Sequence, residues 1–164
     1  MKLEGRAAIV TGGTRGIGRA ITARFLREGI AVAICGRSAA SVQRSVEALA
    51  SYSGKIRGIQ ADISRLADVE RLFAFADQEL GGVDILVNNA GIAVLRPTAD
   101  MQTEEWERTL AVNLSSVFYC CRETIKRFRR HRGGGFIVNI GSLLGKTAVA
   151  GARLTAPRSS ASMD

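Results

Sequence analysis

The residues "TGGTRGIG", 11–18, decide how this chain is to be read. They follow "RAAIV" (6–10), an apolar run of the buried-strand type. They open a stretch in which Ile17, Ile21 and Phe25 recur at helical spacing. In such a setting Gly12 permits a tight turn, Gly16 lets the backbone approach a pyrophosphate, and Gly18 allows close packing of helix on strand. The unpaired N–H groups of the first helical turn then face the phosphates. Out of context the loop is an ordinary turn; between a strand and a helix it predicts a dinucleotide site.

The same alternation continues along the chain. "AVAIC" (31–35), "KIRGIQAD" (55–62), "VDILVNNAG" (83–91) and "GFIVNIGS" (135–142) read as further strands. Between them lie helical stripes: Val42, Val46 and Leu49; Leu66, Val69, Phe73, Ala76 and Leu80; Leu114, Val117, Cys121, Ile125 and Phe128. Strands alternating with helices predict an α/β Rossmann-type doubly wound parallel sheet of about five strands, with helices on both faces. No internal repeat or linker interrupts residues 1–152, which read as one NAD(P)-binding domain. Residues 153–164, "RLTAPRSSASMD", carry no apolar period.

Composition narrows the function classes. A chain of 164 residues, 46% hydrophobic and 23% charged, has the profile of a single globular domain. No apolar run approaches the ~18–20 residues that span a bilayer, and "MKLEGRAAIVTGG" has no signal-peptide core, so a cytoplasmic location is expected. Cys35, Cys120 and Cys121 are read as reduced thiols, and no Cys/His cluster has metal-ligand spacing. The net charge of +8 owes much to "RETIKRFRRHRGGG" (122–135). Lys126, Arg127, Arg129, Arg130, His131 and Arg132 there read as a solvated helix end that complements the helix dipole, not as a nucleic-acid site.

The end of the second strand bears on the cofactor. NAD sites place a carboxylate there for the ribose 2′-OH. This chain has "ICGRS" (34–38), with Gly36 in that place and Arg37 next, and Arg15 in the glycine loop adds a second guanidinium. Two guanidiniums suit a 2′-phosphate, so NADP(H) is expected over NAD(H).

The pattern T-G-x-x-x-G-x-G resembles the short-chain dehydrogenase/reductase family, and four more motifs agree with it in order and spacing: Asp62 in "QADIS", Asn88 to Gly91 as N-N-A-G, Asn113 in "AVNLSSVF" and Ser142 in "NIGS". The resemblance is nearest to the 3-oxoacyl-carrier-protein reductase and sugar or polyol dehydrogenase branches. It implies cofactor contacts from Gly12, Thr14, Arg15, Gly16, Ile17, Gly18, Arg37, Asp62, Ile63, Asn89, Ala90 and Gly91, and catalytic roles for Ser142 and Asn113. It further implies an oxidoreductase that reduces a 3-oxoacyl-type carbonyl or oxidises the matching alcohol, a small-molecule substrate, a homotetramer for the full-length protein, and a sheet that is incomplete in this chain.

The family's chemistry also needs Tyr-x-x-x-Lys, with its tyrosine about thirteen residues past the serine. From Ser142 these places fall on Thr155 and Ser159, and neither side chain can do the work. A shift of reading frame accommodates the pair. A Leu-Thr codon pair read from the third base gives only Tyr, His, Asn or Asp. Arg followed by an AGT or AGC serine gives only Lys, Gln or Glu. Residues 153–164 are therefore read as an aberrant, frameshifted tail, with a genuinely diverged tail as the alternative. The second functional reading is an inactive truncated fragment that at most binds dinucleotide.

Overall fold

Five apolar runs become strands β1 (Ala7–Thr11), β2 (Ala31–Gly36), β3 (Ile56–Gln60), β4 (Ile85–Asn88) and β5 (Phe136–Asn139) in a computed structural model that describes residues 4–94, 96–131 and 134–142. Helices α1 (Gly16–Arg27), α2 (Ala39–Leu49), α3 (Leu66–Leu80), α4 (Thr103–Leu110) and α5 (Ser116–His131) return the chain between them, so every strand pairing is parallel. Thr155, Ser159 and the rest of 153–164 lie outside the described residues.

The sheet order is β3-β2-β1-β4-β5. From β1 the chain winds outward to β3, then crosses back so that β4 lies on the other side of β1. The register Val10↔Ile34 and Val10↔Val87 sets the ends of β1, β2 and β4 level. Their following loops therefore meet at one edge, at the point where the winding reverses. This is the doubly wound sheet read from the sequence, and such an edge is where open α/β sheets hold ligands.

Side-chain alternation divides the core in two. Ile9, Ala33 and Leu86 face α3 and α5, where Val69, Leu72, Phe73 and Cys120 close over them. Ala8, Val10, Val32, Ile34 and Val87 face the other way, under Leu26 of α1 and Leu49 of α2. With both faces covered, the central strands need apolar residues at every position, which is why they read as continuous runs. β5 has a strand partner only in β4 among the described residues. Its Phe136 and Val138 stay 50% and 44% exposed, and an apolar edge of this kind favours self-association.

Two helix faces differ from the periodic reading. In α1 the fully covered positions are Gly18, Thr22 and Leu26, while Ile21 and Phe25 flank them and Ile17 is exposed. The helix start sits too near the sheet for a large side chain, so glycine and threonine take the inner line. In α5 the buried positions are Ser116, Cys120, Cys121, Glu123, Thr124 and Arg127, so of the predicted stripe Cys121 is buried and Val117 packs against the core, while Ile125, and Leu114 in the turn before the helix, are exposed. A π turn, Ala111–Ser115, precedes α5 and winds wider than 3.6 residues per turn, which rotates the stripe away from the face that a uniform helix would bury.

Arg127 also departs from the solvated-end reading. It is buried, with its guanidinium on the Asp77 carboxylate of α3 at 2.7 Å and the Glu123 carboxylate at 3.1 Å, above the Phe73 ring. Burial opposes ionisation of Glu123, but bonds from Lys126 and Arg127 outweigh it and hold the carboxyl below its ordinary range. The pair's contribution is thus present at neutral pH and lost as pH falls through that lowered value. Arg127→Ala strands Glu123 in the interior. Because Asp77 remains 40% exposed, the expected cost is at the lower end for a broken buried pair, about 3 kcal/mol, read as a lower urea midpoint. An unchanged midpoint would return Arg127 to the solvated class. Of His131 the backbone alone is described, and Arg132 lies outside the described residues.

Among the described residues no helix is long and apolar enough to cross a membrane, and no His/Cys/Asp/Glu group could hold a metal ion. The three cysteines are buried and none is in a disulfide.

Candidate functional site

The glycine loop joins β1 to α1 and is shaped by what a side chain would strike. Gly12 has φ +64, and a Cβ there would lie 2.9 Å from Ala90 Cα in the loop after β4. Gly16 has φ +54 with open space beside it, so its lack of a side chain keeps that space clear. At Gly18 a Cβ would run into the Asn89 amide and the Gly12 carbonyl. Arg15 precedes the first helical turn without a side-chain cap, and no acidic residue stands in that turn. The first N–H groups of α1 are left to an outside acceptor, with the positive end of the helix dipole behind them.

Thr11, the first residue of the glycine motif and one to which the sequence assigns no contact, ties this loop to its neighbour. Its buried hydroxyl donates to the Val87 carbonyl at 3.3 Å and accepts from the N–H groups of Asn89 and Ala90 at 3.0 and 3.1 Å. The Asn89 side-chain amide donates to the carbonyls of Thr11 and Gly12 at 2.9 and 3.2 Å. On the other side, the Ser45 hydroxyl of α2 donates to the Thr14 carbonyl at 2.9 Å. Asn88 has a different task. It is buried and its amide donates to Asn139 on β5 at 2.9 Å and to the Cys121 sulfur at 3.4 Å, so it holds β4, β5 and α5 together.

Between these loops lies a cleft of about 570 Å³. Gly12, Thr14, Arg15, Gly16 and Ile17 form its floor, Gly36 and Arg37 one wall, Asp62 and Ile63 a second, and Asn89, Ala90 and Gly91 a third. Every residue named from the sequence for cofactor contact lines it except Gly18, which supports Gly12 and Asn89 from behind. Cys35, Ser38, Ser41, Ala61, Ile92 and Val112 line it too. No motif pointed to them, but most sit at or just past strand ends, and that position was the available signal.

Charge in the cleft is unevenly placed. Asp62 accepts from the Ser64 N–H at 3.1 Å and the Ser64 hydroxyl at 2.7 Å, a local turn that fixes its carboxylate. Burial works against its ionisation. The Ser64 bonds, then the charges of Arg108 and Arg37, prevail and hold it below the usual carboxylate range. At the end of β2 there is no carboxylate, and among the described residues neither Arg15 nor Arg37 is within ion-pair distance of an acid, although Arg37 is near enough to act on Asp62 through its charge. Burial pushes the Cys35 thiol up to about 11 against the pull of the Gly12 N–H, so it stays protonated. An anionic dinucleotide fits this arrangement: an uncapped helix start and open Gly16 for a pyrophosphate, an ionised acceptor for an adenine amine, and two guanidiniums outside any close ion pair.

Asn113 and Ser142 stand outside the lining of the cleft. Asn113, in the π turn, is fully buried. Its amide donates to the Ile92 carbonyl at 2.8 Å and accepts the Ile92 N–H at 2.9 Å. Both ends of the side chain are spent on holding the loop after β4, whose Ile92 faces the cleft. Ser142 is half-buried three residues beyond the end of β5, at the same edge of the sheet.

The family model described as short chain dehydrogenase matches residues 6–154. The chain belongs to that family. Among its relatives, this short-chain dehydrogenase/reductase is 41% identical over 144 residues to an NADP-dependent (R)-specific alcohol dehydrogenase of Lentilactobacillus kefiri, covering 88% of this chain and 57% of that enzyme. It is 39% identical over 147 residues to a 3beta-hydroxysteroid dehydrogenase of Eggerthella lenta, covering 89% and 56%. A solved short-chain dehydrogenase structure from Mycobacterium smegmatis superposes with a TM-score of 0.86 at 34% identity, over 90% of this chain and 62% of that one. The chain thus spans a little over half the length of the relatives it matches.

Proposed function

We propose that this chain carries the cofactor-binding part of an NADP(H)-dependent oxidoreductase that interconverts a carbonyl and its alcohol. The observation that carries the reading is the cleft at the strand ends, with an uncapped helix start at one end and Gly36-Arg37 in place of an acid at the other. In it the N–H groups around Arg15 to Ile17 hold the pyrophosphate. Asp62 and Ile63 hold the adenine, Arg15 and Arg37 the 2′-phosphate, and Asn89 to Gly91 the nicotinamide-side ribose. The bound cofactor supplies or accepts the hydride. Ser142 polarises the substrate oxygen, and Asn113 acts by fixing the loop that bears Ile92.

A carbonyl or alcohol substrate agrees with the alcohol and hydroxysteroid dehydrogenases among the relatives, and a 3-oxoacyl-type carbonyl is our narrower proposal. The homotetramer is an assembly that the family resemblance implies for full-length members. A second reading, an inactive dinucleotide binder, is favoured by one fact: Thr155 and Ser159 stand where the family's tyrosine and lysine would fall.

Titration with the two reduced cofactors tests the assignment. NADPH is expected to bind about tenfold to a hundredfold more tightly than NADH, the worth of charge-assisted bonds to a 2′-phosphate. Arg37→Asp should reverse the order. Equal affinities for the unaltered chain would remove the NADP(H) assignment.

A further inference from the structure

Beside the cofactor cleft runs a shallower groove between the start of α1 and the outer side of α2. Arg15, Arg19 and Arg44 line it together with Ser41 and Ser45. The two spaces adjoin: Thr14, Arg15 and Ser41 line both. The proposed contacts to the pyrophosphate and 2′-phosphate use Arg15 and Arg37 and leave Arg19 and Arg44 without a task.

Neither Arg19 nor Arg44 forms an ion pair among the described residues, whereas Arg6, Arg24, Arg57 and Arg127 each meet a carboxylate. The one acid lining the groove, Glu47, accepts from the Gln43 amide at 2.8 Å. Three guanidiniums thus share one groove with a single carboxylate, and none of them is within ion-pair distance of it. Their positions are tied to the cleft. The buried Ser45 hydroxyl clasps α2 to the Thr14 carbonyl at 2.9 Å, and Arg44 is the next residue along that helix. The Arg44 guanidinium donates to the Ser41 hydroxyl at 3.2 Å, which turns it toward the wall that cleft and groove share. Ser38 in turn accepts the Ser41 N–H at 3.3 Å at the head of α2.

We infer that the groove is the outer half of the 2′-phosphate site, and that Arg19 and Arg44 are specificity-determining residues for a phosphomonoester dianion on the adenosine. The inference rests on the NADP(H) reading above and extends it to residues outside the cleft. The positive basin spans cleft and groove and attracts the phosphate before Arg15 and Arg37 close on it. Arg19 and Arg44 are exposed, so each contributes modestly and their effect is screened by salt. NADH carries no group that reaches them.

The test compares the unaltered chain with Arg19→Gln/Arg44→Gln and with Arg19→Lys/Arg44→Lys, titrated with NADPH and with NADH at low and at high salt. The glutamine pair is expected to weaken NADPH binding about fivefold to twentyfold at low salt and much less at high salt. NADH affinity should not move, and the lysine pair should keep most of the NADPH affinity. Inorganic phosphate separates a cofactor site from a site for free anions: it should displace NADPH from the unaltered chain and do so less effectively in the glutamine pair, where Arg15 and Arg37 remain. Phosphate that binds the groove without displacing NADPH would overturn the inference. An NADPH preference that survives the glutamine pair intact, or an equal loss for both cofactors, would also overturn it and leave the NADP(H) reading standing. An unaltered chain with no preference for NADPH would remove both.

Discussion

Mixed with NADPH and a simple ketone or a 3-oxoacyl thioester, the 164-residue chain should show no turnover above background. Carbonyl reduction needs a proton donor at the substrate oxygen as well as a hydride. The chain holds two tyrosines, and the fold commits both elsewhere. Tyr52 lies past the end of α2, where its hydroxyl accepts from Arg27 at 3.1 Å and the same guanidinium covers its ring. Tyr119 sits on α5 against Phe118 and Arg122. Neither lines the cleft. Ser142 can polarise a carbonyl but is too weak an acid to replace a tyrosine whose pKa a lysine has lowered. Losing members of such a catalytic unit costs about four powers of ten or more. Following the oxidation of NADPH with sequence-verified protein checks this, and robust turnover would contradict it.

The second large effect is expected at Gly12. A valine there must adopt φ near +64, costing about 1–3 kcal/mol, and its Cβ would press on Ala90 Cα at 2.9 Å, an overlap worth roughly as much again. The sum, about 3–5 kcal/mol, is a large part of an ordinary domain's margin of about 5–15 kcal/mol. The melting temperature should fall by about 10 °C or more, with cofactor binding lost as well. Gly16→Ala makes the useful contrast. Its φ of +54 costs about 1 kcal/mol and nothing lies within 4 Å to be struck, so the fold should persist. The new methyl would enter the space kept clear for the pyrophosphate, so binding should drop without the melt collapsing. Equal stability losses for the two variants would mean that Gly12 does not hold the two loops together.

The features of this fold differ in how readily they could be read from the chain. β1, β2 and β4 announced themselves because a strand covered on both faces needs an apolar residue at every place. The glycine loop did so because its function needs main chain rather than side chains at fixed spacing. The inner face of α5 could not be foreseen. Glu123 and Arg127 look like surface residues until Asp77, fifty positions earlier in the chain, is folded against them. The π turn that rotates the helix leaves no mark in a periodic pattern. Ser45 and Thr11 escaped for a similar reason: a hydroxyl that clasps a carbonyl from another element resembles any exposed serine or threonine until both partners are placed. For Asn113 the residue was found, but its two bonds to Ile92 came only from the fold.

We propose that the edge of the sheet between the ends of β1, β2 and β4 binds NADP(H) through the helix start and two guanidiniums. A crystal structure of the chain with NADP⁺ tests it most directly. The pyrophosphate is expected within hydrogen-bond distance of the N–H groups around Arg15 to Ile17, the adenine beside Asp62, and the 2′-phosphate against Arg15 and Arg37. A cofactor bound away from the glycine loop, or one with its 2′-phosphate turned from both arginines into solvent, would contradict it.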